Sequence, residues 1–297
     1  MSTTTGGPAS GLPVRMPRPR QTGRHRRPEA LSAPEGAPVL VLAVPGTPST
    51  AALSLAEEVV SIARSELSGL DPRIGFVDGA DAEDADFPSL RSVLDQVAVE
   101  RAGEDVSAVV VPLLAGPEAS VLRRVRQAVA DSKAQVELTD VLGPHPLLAE
   151  ALHVRLSEAG LARADRARLF TVATAADGII LATVGGEEAA QAAGVTGLLL
   201  AARLAVPVLA AALDEDGSVA SAAEQLRSSG SDTLALAPCL IGPEIAPQVL
   251  HTAAAEAGCS AADALGPYPA VGKLVVTQYA AALGLPMPQQ GSGVPMR

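Results

Sequence analysis

The sequence predicts two tandem α/β domains, each a parallel sheet covered by helices, related by internal duplication. Three observations carry this. Unbroken Val/Leu/Ala runs alternate with helical patterns, the alternation passes through the chain twice, and short peptides recur in the same order. Strands buried on both faces read as continuous apolar runs, and strand–helix alternation implies a parallel sheet. A length of 297 residues suits two domains of ordinary size.

Residues 38–44 (PVLVLAV) form the first expected strand. Leu53, Ala56, Val60, Ala63 and Leu67 then recur at three- and four-residue spacing, one face of a helix. A strand near Arg73–Val77 and a helix near Pro88–Arg101 follow. A third strand spans Ala108–Leu114, and Val121, Leu122, Val125, Ala128 and Val129 mark the next helix. A strand at Gln135–Val141 and a helix from Pro146 to about Glu158 complete the first set. The second set reads as strands at Gly178–Val184, Pro207–Leu213, Thr233–Leu240 and, weakly, Ala261–Leu265. A Glu/Ala/Gln-rich helix and helices at Ser218–Arg227, Ile245–Ala257 and Pro269–Leu283 connect and close them.

The duplication shows in residues as well as in pattern. VVPLLAGPE (110–118) aligns with LAPCLIGPE (236–244), and LGPHP (142–146) with LGPYP (265–269). VLAV (41–44) matches ILAT (180–183). The expected organisation is a disordered basic tail at 1–36, a first domain at 37–165, a second at 166–284 and a flexible tail at 285–297.

Composition excludes several function classes. Aromatics make up 2% with no Trp, which rules out stacked aromatic platforms. Cys239 and Cys259 are the two cysteines, too few for a disulfide framework or a four-Cys metal site. The net charge is −11; the tail holds six arginines against Glu29 and Glu35, so the remainder is −15. An acidic body argues against a nucleic-acid partner. Gly194 to Leu213 is apolar but contains Pro207 and changes from an Ala/Leu to a Val/Leu pattern, so it reads as a buried helix and strand rather than a membrane span. No signal-peptide core is present, and a cytoplasmic location is expected.

In open parallel sheets ligands bind beyond the carboxyl ends of the strands. Those ends are Pro45–Ser49, Ala115–Glu118 and Leu142–His145 in the first copy, and Val184–Glu187, Ile241–Glu244 and Leu265–Tyr268 in the second. PGTPST lacks the Gly-Lys-Ser/Thr of a phosphate loop, and VGGEEAAQAAG lacks dinucleotide glycine spacing.

The runs VVVPLLAGPEASVLRRVRQAV and TDVLGPHPLLAEALHVRL resemble the sirohydrochlorin chelatase and cobaltochelatase (class II chelatase) family, with LGPHPLL (142–148) the most specific piece. The resemblance covers roughly 38–158 and, more faintly, 177–283. It implies flavodoxin-like, chelatase-type domains, and a lyase that inserts Fe²⁺ or Co²⁺ into a sirohydrochlorin-type tetrapyrrole for siroheme or cobalamin biosynthesis. The divalent metal is then substrate, with no prosthetic group, and the tetrapyrrole is the partner, with neither nucleic acid nor membrane involved. The family's first strand ends in Gly-His-Gly-Ser/Thr, where this chain has Val44, Pro45, Gly46 and Thr47. Its third is followed by Gly-His or Gly-x-His, where this chain has Gly116, Pro117 and Glu118. Both family histidines are absent, which keeps open a non-catalytic descendant acting as a tetrapyrrole or metal carrier or as a partner protein.

Candidate catalytic and metal-handling residues are therefore Glu118, Glu244 and His145. The glutamates stand at equivalent Gly-Pro-Glu turns, and carboxylates bind divalent cations and take protons. An acid at a helix N-terminus is the alternative for each. His145 lies between Pro144 and Pro146, where a structural role is the alternative and Tyr268 is the counterpart. Gly46, Thr47 and Gly116 line the expected substrate site, and Arg123 and Arg124 offer guanidinium groups to tetrapyrrole carboxylates.

Overall fold

All six residues of Val39–Val44 (β1) are buried, because helices cover the strand on both sides. The computed structural model describes residues 2–3, 32–82, 85–162, 175–242 and 244–285. The chain divides into two units, Met1–Ala30 and Leu31–Arg297. The first lies almost wholly outside the described residues, as do the expected domain boundary at 165/166 and residues 286–297 of the expected C-terminal tail. Every helix and strand of the described residues belongs to the second unit.

After β1, Ser49 caps Thr50–Glu66 (α1) by accepting from the Ala52 N–H at 3.2 Å. Pro72–Phe76 (β2) leads to Leu90–Glu100 (α2), capped by Ser89. Ala108–Pro112 (β3), Ala119–Asp131 (α3), Val136–Leu138 (β4) and Pro146–Glu158 (α4) complete the first repeat. The second comprises Gly178–Thr183 (β5), Gly186–Leu204 (α5), Val208–Ala212 (β6), Ser218–Ser228 (α6), Leu234–Pro238 (β7), Pro247–Glu256 (α7), Ser260–Ala261 (β8) and Pro269–Ala282 (α8).

Each repeat is a four-stranded, all-parallel sheet, in the orders β2-β1-β3-β4 and β6-β5-β7-β8. The registers repeat too: Ala43 pairs with Pro112 as Ala182 pairs with Pro238. The last strand of each sheet is shorter than expected. β4 stops at Leu138, although the Thr139 N–H still bonds to Val110, and β8 has two residues. The apolar stretch 194–213 is the end of α5 followed by β6, and no helix of the described residues is long and apolar enough to cross a membrane. Residues 32–33, inside the expected tail, attach to the first repeat, where the Ala33 N–H bonds to the Ser68 carbonyl at 2.8 Å.

Strand alternation assigns side chains to two faces. Val39, Val41 and Ala43 join a core with α2 and α3 side chains, and Ile180, Ala182 and Leu236 join its counterpart under α6 and α7. Leu40, Leu42, Val109 and Val111 face inward instead, into one continuous core shared with Ile179, Leu181, Ala235 and Ala237 of the other sheet. Helices α1, α4, α5 and α8 form the layer between the sheets. At α1–α8 the backbones approach so closely that a Cβ on Gly272 would stand 2.5 Å from Ile62 Cγ2. At α4–α5 the Arg203 Nε–H donates to His153 Nδ1 at 2.9 Å. This pairing, α1 with α8 and α5 with α4, is that expected of a pseudo-twofold relation that exchanges α4 with α8.

Candidate functional site

The loops after β3 and β7 begin alike and diverge at their glutamates. Glu118 is the N-cap of α3: it accepts from the Val121 N–H at 3.3 Å and from the Ser120 hydroxyl. Glu244 cannot do the same, because α7 starts later, at Pro247. Its carboxylate folds back and accepts from the Ile241 and Gly242 N–H groups at 2.7 and 2.6 Å.

Both glutamates line one cavity at the seam between the repeats. Leu114, Ala115 and Gly116 contribute from the β3 loop, Thr183 and Val184 from the end of β5. Cys239 and Leu240, after β7, close it. Its volume is about 10 Å³, room for roughly one water molecule. Glu118 reaches the second repeat directly: a Cβ on Gly185 would stand 3.0 Å from its Cγ and 3.2 Å from its Cα.

Among the described residues, no lysine, arginine or histidine lines this cavity. Burial raises the pKa of Glu244; its two backbone hydrogen bonds oppose that rise and the negative charge of Glu118 adds to it. Burial pushes the Cys239 thiol up to about 12, with Glu244 contributing. A carboxylate whose pKa is raised by burial is a better proton acceptor than an exposed one, and carboxylate oxygens are ligands for divalent cations.

The other expected site residues lie elsewhere. His145 is the N-cap of α4, its Nδ1 accepting from the Leu147 N–H at 3.1 Å, and burial lowers its pKa. That acceptance leaves the neutral ring's proton on Nε2, so neither nitrogen has a free lone pair for a metal. Among the described residues no three His, Cys, Asp or Glu side chains gather into a metal-holding group, so the expected trio of Glu118, Glu244 and His145 divides. Gly46, with φ +81°, turns the chain after the buried Pro45, and Thr47 is exposed; neither lines the cavity. Arg124 pairs with Asp78 and Arg123 is exposed on α3, both away from the cavity lining. Of the expected substrate positions, Gly116 is the one at the cavity.

The cavity residues outside the strand-end loops singled out from the sequence are Leu114, Thr183, Cys239 and Leu240. The match of 41–44 to 180–183 held the signal for one of them, since it makes Thr183 the counterpart of Val44. The LGPHP turn is explained by packing. A Cβ on Gly143 would lie 2.3 Å from the Ala115 carbonyl oxygen and 2.6 Å from Leu148 Cδ1, so only glycine lets the turn press against the loop carrying Gly116 and Glu118.

Comparison with known proteins bears on the fold. DR2241 from Deinococcus radiodurans, described as a multi-domain protein with structural similarity to chelatases and two additional novel domains, superposes with a TM-score of 0.52 at 17% identity, covering 84% of this chain and 55% of that one. The chain thus spans about half the length of DR2241. A probable LacI family transcriptional regulator from Corynebacterium glutamicum superposes with a TM-score of 0.34 at 12% identity, over 83% of this chain and 93% of the other. No curated protein matches the sequence. A family model described as CbiX matches residues 40–159. Across those residues, its first repeat, the chain is similar to the sirohydrochlorin chelatase family CbiX.

Proposed function

We propose that this chain is a sirohydrochlorin chelatase-like protein, inserting Fe²⁺ or Co²⁺ into a sirohydrochlorin-type tetrapyrrole at the seam between its repeats. The observation that carries the reading is that Glu118 and Glu244, from equivalent turns, line one cavity. Insertion exchanges two pyrrole protons for the metal ion. Glu244, whose pKa is raised, suits a proton acceptor, and Glu118 beside it suits a metal-delivering carboxylate. The metal is substrate and the reading requires no resident prosthetic group. The macrocycle far exceeds the present cavity, so the repeats part at the β3, β5 and β7 loops to admit it.

A second reading, a non-catalytic tetrapyrrole or metal carrier, is favoured by the buried Pro45 and by Pro117 at the family's histidine positions. One experiment separates the two. The absorbance of sirohydrochlorin is followed with Fe²⁺ or Co²⁺, with and without protein. Acceleration over the spontaneous rate supports the enzyme, a bound spectrum without acceleration supports a tetrapyrrole carrier, and an unchanged spectrum removes both of these and leaves the metal carrier, which direct Fe²⁺ or Co²⁺ binding to the protein alone then supports or removes.

A further inference from the structure

A duplicated chain with a pseudo-twofold axis offers two equivalent crevices at the seam. One joins the loop 114–118 to the end of β5; its counterpart joins the loop 240–244 to the end of β1. The cavity belongs to the first of these, since Thr183 and Val184 line it and Val44 and Pro45 do not.

The two glycines at equivalent positions show why. A Cβ on Gly116 would meet no atom within 4 Å, whereas one on Gly242 would stand 2.9 Å from Leu55 Cδ1. Leu55 belongs to α1 of the opposite repeat and packs against the shared core. Its helix carries Leu53 and Leu55 in its first two turns, where α5 carries Ala189, Ala190, Ala192 and Ala193. Leu55 therefore covers one glycine, and nothing covers the other. Deeper in, both Cys239 and its counterpart Leu113 are buried, but Cys239 lines the cavity and Leu113 does not.

We infer that the duplicated cleft has a single mouth: a ligand reaches Glu118 and Glu244 over Gly116, and Leu55 plugs the equivalent mouth over Gly242. The chain then takes one ligand per pair of repeats, approached from the 114–118 side. This concerns access to the seam and rests on the proposed function only for the identity of what enters.

Cys239 is a built-in reporter of that route. In a Cys259→Ser chain it is the one remaining thiol, and its modification by methyl methanethiosulfonate is followed by intact mass, with urea-unfolded protein as the full-rate reference. Gly116→Leu, whose side chain fills open space, is expected to slow modification at least tenfold; an unchanged rate overturns the inference. A second arm places the thiol at the equivalent position, in a Leu113→Cys, Cys239→Ala, Cys259→Ser chain. This thiol is expected to react at least tenfold more slowly than Cys239, and adding Leu55→Ala is expected to speed it at least tenfold. Reaction as fast as Cys239 with Leu55 in place overturns the plug. A chain that passes both arms yet leaves the sirohydrochlorin spectrum unchanged refutes the proposed function and leaves the single mouth standing.

Discussion

Arg155 on α4 and Gln278 on α8 occupy the same place in the two repeats, and each reaches into the other. Arg155 donates through Nε and Nη2 to the Leu265 carbonyl at 3.1 and 2.7 Å, and Gln278 donates to the Val141 carbonyl at 2.9 Å. Those carbonyls immediately precede or open the LGPYP and LGPHP turns, so each repeat fixes the other's turn. Half-buried carbonyls stripped of a donor lose most when the donor is charged. Arg155→Ala is expected to lower unfolding stability by about 2 kcal/mol and Gln278→Ala by about 1 kcal/mol, as read from urea denaturation. Equal and negligible losses would refute the clamp.

Gly185 adopts φ +112°, and a Cβ there would crowd Glu118 and Ala189 at 3.0 Å. Gly185→Ala combines left-handed strain with a clash across the seam and is expected to cost about 1–3 kcal/mol. Gly116→Ala, in open space, is expected to leave the melting temperature nearly unchanged. Similar melting shifts for the two variants would contradict the seam geometry.

His145 ties stability to pH through its cap. Burial holds its pKa below 6.5, and protonation would remove the Nδ1 lone pair that accepts from Leu147. A histidine lowered in the fold stabilises it fully above its unfolded value, and that contribution disappears as pH falls through the folded value. Relative to His145→Asn, which caps without titrating, the native chain is expected to lose stability as pH drops below 6.5. Denaturation midpoints that run parallel for the two chains across this range would exclude the effect.

The proposed chemistry makes the two glutamates unequal to their neighbours. Glu118→Gln and Glu244→Gln are each expected to reduce metal insertion by roughly 10²-fold or more, while Arg123→Ala, exposed on α3, is expected to stay within a few-fold. Activity retained in both glutamine variants would remove these carboxylates from the reaction. Gain of activity on placing histidine at Pro45 and Pro117 would show that the scaffold still supports the family's chemistry.

The sheets were legible because their cause is local. Val39–Val44 and Gly178–Thr183 are unbroken apolar runs, and burial on both faces demands that composition. The likeness of the two sheets was legible because LGPHP and LGPYP stand at matching places, each leading into the helix that follows the last strand. The composition of the cavity was not, because it depends on which loop of one repeat faces which loop of the other. Nothing near Leu55 in the chain says that it covers Gly242. The same holds for His145: a ring between two prolines reads equally as ligand or cap, and only the 3.1 Å approach of the Leu147 N–H decides.

The shared inner core also sets a timetable for biosynthesis. While the second repeat is still being made, the inward faces of α1 and α4 have no α8 or α5 to cover them. At 5–20 residues per second, the stretch from Glu158 to Ala282 takes roughly 6–25 s to emerge. Through that interval the nascent first half displays an apolar surface that becomes interior only when the last helix arrives. Chains truncated before α8 should therefore depend on chaperones and accumulate in aggregates, even though every strand of their first sheet is present.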